Sequence, residues 1–272
     1  MIAIVGGGRM GRGLARALGE AGERVELASG RGPGAGEAAD VAGGATTVIL
    51  AVPDDAIATV ARGLAERGAV TADQVVLHLS GLHDHHALQP LVPSGAALGS
   101  FHPLQTIADP DTAAARWRGA YAAIEGQPRA VAEAERLARL LALIPIPLPP
   151  GAKPRYHAGG VFASNYLVVL AAIAARVAED AGVDPSLAAR IYLPMMRGAL
   201  ENLERLPPAE ALTGPVRRGD VATVVRHLAE LPVAERETYA VLGMEAVRLA
   251  EAAGLEAGRV AELRALLRAA LP

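Results

Sequence analysis

Over the first half of the chain, short apolar runs alternate with amphipathic stretches. Residues 2–5, 24–28, 47–52, 75–79, 97–101, 120–124 and 144–148 are brief, mostly apolar and bounded by turn formers, which predicts strands. Between them, 10–21, 54–67 and 129–141 repeat apolar residues at helical spacing. Strand–helix alternation of this kind predicts an α/β fold, a doubly wound, mostly parallel sheet covered on both faces. The pattern changes at Pro145, Pro147, Pro149, Pro150 and Gly151, where neither a helix nor a central strand can continue. Beyond that point only helical periods follow, at 154–181, 185–205, 216–231, 233–253 and 257–270. The expectation is an N-terminal Rossmann-type domain over 1–150 and a C-terminal all-α domain over 151–272.

The first turn carries the sharpest signal. Gly6, Gly7, Gly8, Arg9, Met10 and Gly11 spell G-x-G-x-x-G directly after an apolar strand and at the opening of a helix. Glycines there permit a tight turn and let a pyrophosphate approach backbone N–H groups, while the helix N-terminus supplies positive potential. The end of the second strand sets the choice of nucleotide. Ser29 stands where an NAD enzyme carries a carboxylate for the ribose, and Arg31 lies just beyond it. A guanidinium pairs with a 2′-phosphate, so NADP(H) is expected; the alternative is that Glu26 faces the ribose. Val52 and Pro53, ending the third strand, are placed along the nicotinamide side. Asp54 reads equally as a helix cap.

Two further strand ends bring polar groups to the same edge of the sheet. These are Ser80, in His-Leu-Ser-Gly, and His102, in Phe-His-Pro-Leu-Gln. Ligand crevices of open α/β sheets lie beyond the carboxyl ends of the strands, so both are candidates to face the nicotinamide. Each reads alternatively as a turn residue. His83, His85 and His86 sit too close together on one short loop to form a metal site; a solvated loop and no metal are expected. Further on, Lys153 precedes Pro154 and is expected extended, at the cap of a helix bearing His157, Ser164 and Asn165. Lys153 or His157 could give a proton to an atom receiving a hydride, and Asn165 could hold a carbonyl, with Ser164 beside it at the substrate. The other reading makes His157 and Asn165 partners of backbone groups. Arg218, in a Gly-Pro…Gly-Asp turn, could clamp a carboxylate; Asp220 could simply cap the next helix.

Composition narrows the setting. Of 26 basic residues Lys153 is the single lysine, and the net charge of −3 gives no general attraction to nucleic acid or anionic membranes. There is no cysteine, hence no disulfide or thiolate chemistry. The chain opens on a strand pattern without a leader-like segment, and the apolar stretch 161–175 is short and broken by Ser164 and Asn165. It reads as a buried helix, which puts the protein in the cytoplasm with no membrane partner. The abundance of apolar helix surface predicts a homodimer through the second domain.

Taken together, the glycine fingerprint, His78-Leu79-Ser80-Gly81, Phe101 to Gln105, Tyr156-His157 with Ser164-Asn165, and Leu212-Thr213-Gly214-Pro215 resemble a family. It comprises Rossmann-like proteins with a C-terminal helical domain of unknown function, within the 6-phosphogluconate dehydrogenase-like group that includes ketopantoate reductase and pyrroline-5-carboxylate reductase. In that group a lysine and an asparagine one helical turn apart serve the substrate; Lys153 and Asn165 are spaced more widely. The resemblance implies NADP(H)-dependent reduction of a small 2-oxo acid, ketopantoate-like. Reduction of a cyclic imine is the second enzymatic expectation, and a non-catalytic NADP(H)-binding sensor or dimerisation protein the third.

Overall fold

The computed structural model describes residues 1–28, 34–107 and 109–271. Its sheet contains β1 (Ile2–Val5), β2 (Val25–Ala28), β3 (Thr47–Leu50), β4 (Val75–His78), β5 (Ala97–Pro103), β6 (Tyr121–Gly126) and β7 (Ile144–Pro147), in the spatial order β2-β1-β3-β4-β5-β6-β7. All neighbours pair in parallel except β5 and β6. Every residue of β1, β3 and β4 is buried, which is why these strands read as unbroken apolar runs rather than alternating ones. Pro145 and Pro147 fit within β7 because it is an edge strand whose only neighbour is β6. From β1 the chain passes first to β2 on one side and then to β3 on the other. The strand order therefore reverses beside β1, and a crevice is expected beyond its carboxyl end.

Two apolar layers cover the sheet. Leu14, Leu18, Phe101, Trp117 and Leu137 centre one, and Ile57, Leu64, Leu88 and Leu91 the other. Several elements escaped the periodicity, three of them in this half of the chain beside the short turns. Among the described side chains of the helix Gly34–Gly43, those buried are Ala38, Ala39 and Ala42, so its apolar stripe is faint. Ala113–Trp117 is barely longer than one turn, and His85–Ser94 is a 3₁₀ run whose Pro90 and Pro93 argue against an α-helix.

The chain divides into two compact units, Met1–Ser164 and Asn165–Pro272. The second is all helical: Tyr166–Asp180, Pro185–Ile191, Leu193–Arg205, Pro208–Ala211, Pro215–Arg218, Val221–Glu230, Val233–Ala252 and Ala257–Ala269. The periods at 185–205 and 216–231 each break in two. Pro194 starts a new helix after Tyr192, and Gly219, at φ +68°, ends a short one in the left-handed region. Asp184 and Asp220 accept from the N–H groups of Ser186 and Thr223 and cap the helices that follow.

One expectation is corrected. The apolar stretch around 161–175 is not a short buried helix. It belongs to a helical segment running from Lys153 to Asp180, through a π-helical turn at Val161–Asn165, and is long and apolar enough by composition to cross a membrane. Within Tyr166–Asp180 only Ala178 is buried, and Phe162 is 70% exposed. The reason lies in the second unit's core, built from Val216, Val224, Ala240, Val247, Leu263 and Leu267. The buried members of that core all come from residues 216–267, so the long helix is left without a cover.

Candidate functional site

The loop between β1 and the helix Arg9–Glu20 is shaped by two glycines and left open by two others. Gly6 adopts φ +127°, and a Cβ on it would overlap the carbonyl oxygen of Ala51 just past β3; a Cβ on Gly11 would overlap the carbonyl oxygen of Gly6. Those two positions bring backbones together at the point where the strand order reverses. Gly7 and Gly8 face nothing within 4 Å. Gly8 is the N-cap, no side chain caps the helix, and its first turn contains no acidic residue. Backbone N–H groups thus face open space in a field that favours anions, a cradle that fits a pyrophosphate. Arg9 is exposed, and Met10 packs against the core. Val52 is half-buried and Pro53 exposed, both directly after β3. Ser29 and Arg31, on which the choice of NADP(H) was based, lie outside the described residues.

The polar cluster grows from the ends of β4 and β5 and from the helix Lys153–Gly160. Lys153 is not extended, as its place before proline predicts. It is the first helical residue, with Ala152 as cap. Steric conflict ahead of proline is tolerable in a first turn, and the side chain has a strong anchor. Its ammonium, 1% exposed, donates to the carbonyl oxygen of Ser80 at 2.5 Å and to Ser100 Oγ at 2.9 Å. Burial lowers Lys153 to about 8, against the opposing pull of Glu125, Asp54 and Asp84. It sits among histidines that are held neutral. His78 is wholly buried, accepts from the Ser80 N–H at Nδ1 and donates from Nε2 to the Asp84 carbonyl, and burial followed by the Lys153 charge pushes it down to about 3. The same two causes, with His157 adding a third, push His102 to about 4.

His102 and His157 converge on Gly81. A Cβ there would lie 2.5 Å from His157 Nδ1 and 2.9 Å from His102 Nε2. His102 Nδ1 lies 3.2 Å from the hydroxyl of Tyr156, the two rings standing edge to face. Ser80, His102, Lys153 and His157 are thus brought together. The Ser80 hydroxyl, however, accepts from the N–H groups of Leu82 and His83 and shapes the turn, leaving its carbonyl to hold Lys153. Ser164 is half-buried at the end of the first unit, and Asn165 is exposed at the start of the second. Arg218 is exposed in the helical unit, beside Arg217 and Glu256 in an open depression. The histidines of the 83–86 turn are not uniformly solvated. His85 binds the buried Glu125 carboxylate through both its backbone N–H and its ring, whereas His86 turns outward to Asp84.

Sequence reasoning missed Tyr156, Ser100 and Gly81. Tyr156 stands in the Tyr156-His157 motif quoted above, where only His157 is given a part in the site. Ser100 lies inside a strand, and its register puts it opposite Glu125, which no spacing rule reveals. Gly81 appears only as the last residue of His78-Leu79-Ser80-Gly81, and its lack of a side chain admits two imidazoles.

Residues 1–103 match the model of a Rossmann-like domain, and residues 120–246 match that of a domain of unknown function, DUF2520. No curated protein matches the chain. Among solved structures, protein TM1727 from Thermotoga maritima is 23% identical, with a TM-score of 0.66 over 98% of this chain and 100% of that one. BF3122 from Bacteroides fragilis, titled as a candidate NADP oxidoreductase, is 22% identical with a TM-score of 0.69 over 90% and 96%. The pyrroline carboxylate reductase of Plasmodium falciparum, solved with NADP bound, is 12% identical with a TM-score of 0.60 over 97% of each chain. These likenesses establish the fold, a Rossmann-like sheet followed by helices.

Two predictions follow from the geometry. Gly8→Ala, at an open position with ordinary backbone angles, should change stability by under about 1 kcal/mol yet weaken binding of a pyrophosphate-bearing dinucleotide about 10-fold, since a methyl group enters the cradle. Gly11→Ala should unfold or strongly destabilise the protein. Calorimetry and thermal melts check both, and equal effects of the two variants would contradict the assignment. The second concerns acid. His78 and His102 titrate lower folded than unfolded, so below pH 6.5 the unfolded chain binds protons that the folded one refuses. Stability should be fully present above pH 6.5 and fall by roughly 1 kcal/mol per pH unit per histidine down to about pH 4.5. Denaturant melts of His102→Gln should show a shallower fall over that window.

Proposed function

We propose that the chain is an NADP(H)-dependent oxidoreductase that reduces a small 2-oxo acid, ketopantoate-like, by hydride transfer. The observation carrying this reading is the open face of Gly7 and Gly8 at the strand-order reversal, with a cluster of Lys153, His102 and His157 at the ends of the neighbouring strands. Gly6 to Gly11 would hold the pyrophosphate, and Val52 and Pro53 would border the nicotinamide. Arg31 would meet the 2′-phosphate. When bound, NADPH would supply the hydride. The similarity in fold to an NADP-bound pyrroline carboxylate reductase and to BF3122 supports this choice of cofactor.

The protein's own groups divide the remaining work. His157, half-buried beside Gly81, gives the proton to the carbonyl oxygen. Lys153, with two of its three N–H bonds committed, serves through its charge, which favours negative charge developing nearby. Ser80 fixes Lys153, and Ser164, half-buried in the same unit, is a further contact for the substrate. Imine reduction is the alternative, favoured by the same neighbour in fold. We place the protein in the cytoplasm.

We also assign the uncovered apolar helix to a homodimer. Leu170, Ile173, Ala174 and Val177 line one side of a cavity of about 570 Å³ whose other walls include Tyr192, Tyr239 and Leu242, all in the helical unit. Filling it from a second copy would bury a stripe that costs free energy when left in water.

NADPH oxidation, followed at its absorbance against a panel of 2-oxo acids and cyclic imines, tests the reaction. Turnover is expected with an oxo acid, and His157→Ala should lower kcat about 100-fold while leaving NADPH affinity intact. Tight NADPH binding without turnover of any compound would instead point to a sensor. Light scattering should give the mass of two chains, and Val169→Glu should shift the protein toward one. A wild-type monomer in aqueous buffer, or recovery only in detergent, would overturn the dimer.

A further inference from the structure

We propose that Tyr156 is a positioning residue that fixes His102 as the Nε2–H tautomer, so that a neutral imidazole offers an N–H donor beside Gly81 to the substrate oxygen that gains negative charge. This rests on the reductase reading, and on three observations independent of it.

The first is the hydrogen bond between Tyr156 and His102 Nδ1, at 3.2 Å with the rings perpendicular. A phenol hydroxyl is a good donor and a poor acceptor, because its lone pair is delocalised into the ring. An unprotonated imidazole nitrogen is a strong acceptor. A neutral imidazole has one of each, so accepting at Nδ1 leaves the proton on Nε2. Burial raises Tyr156 to about 12, which keeps its hydroxyl a donor throughout the physiological range.

The second is the state of the ring. His102 is held neutral by burial and by the Lys153 ammonium, so the donor it presents carries no charge. Such a donor can stabilise an alkoxide without burying a second cation beside Lys153. His78 shows the same device completed within the protein, with Nδ1 accepting from Ser80 and Nε2 donating to Asp84.

The third is that His102 Nε2 has no protein hydrogen-bond partner among the described residues. It lies against Gly81, where any side chain would displace both this ring and that of His157. One ring edge is therefore fixed by Tyr156, and the other is free for a ligand.

Long-range proton–nitrogen spectra of full-length protein labelled with ¹⁵N-histidine test the assignment, with the His102 signals identified by their loss in His102→Gln. At neutral pH His102 should show a protonated Nε2 and a bare Nδ1, and Tyr156→Phe should move both shifts toward a mixture of tautomers. In turnover, Tyr156→Phe should lower kcat about 10-fold with KM within about two-fold. In the His102→Gln background, whose amide N–H needs no tautomer, it should have no further effect. An Nδ1–H tautomer in the wild type, or an unchanged one in Tyr156→Phe, overturns the proposal even if oxo acids turn over. Absence of turnover with the Nε2–H tautomer present removes the substrate role and the reductase reading while leaving the tautomer assignment in place.

Discussion

The burial of one ammonium group organises the candidate site. A lysine brought out of water loses its hydration, and it stays charged only where oxygen atoms replace that shell. Lys153 receives two such atoms, the Ser80 carbonyl past the end of β4 and the Ser100 hydroxyl within β5. The hydrogen bonds join the helix Lys153–Gly160 to two adjacent strands, so the placement of Tyr156 and His157 on that helix follows from where the lysine is held. Glu125, opposite Ser100 in the antiparallel pairing of β5 and β6, adds countercharge without touching the ammonium.

The same charge governs the neighbouring imidazoles. Two buried histidines next to a cation cannot protonate cheaply, and both must then find one donor and one acceptor partner each. His78 finds both in the backbone and becomes part of the scaffold that shapes the turn after β4. His102 finds only one, in Tyr156. That asymmetry separates the wholly buried His78, both of whose ring nitrogens are satisfied within the protein, from the half-buried His102, one of whose nitrogens has no protein partner among the described residues.

Much of the sheet was legible because parallel strands buried on both faces must be continuous apolar runs. All seven strands fall where those runs are, with ends shifted by one or two residues. The glycine fingerprint was legible for the same kind of reason, since Gly6 and Gly11 answer to backbone overlap that no other residue avoids. The helix Gly34–Gly43 was not, because alanine packs against a sheet without the bulk that makes a periodic stripe visible. The solvent exposure of Tyr166–Asp180 was equally hidden: an apolar period marks a face that gains by burial, and does not say whether the chain's own core covers it.

The site was half legible, and the division is physical. Lys153 stood out as a charge retained once in an arginine-rich chain, and His102 as a polar residue at a strand end. Their partners are residues whose roles exist only in three dimensions. Ser100 acts through register, Tyr156 through its position one residue before His157 on the helix, and Gly81 through the atom it lacks. A spacing of one turn between a lysine and an asparagine is not met by Lys153 and Asn165, which stand further apart. The residue one turn from Lys153 is His157, whose ring meets His102 over Gly81. Lys153 itself has two of its N–H bonds committed to Ser80 and Ser100, so in the reaction proposed above an imidazole beside it is the better placed group to deliver a proton, with the lysine as an anchor.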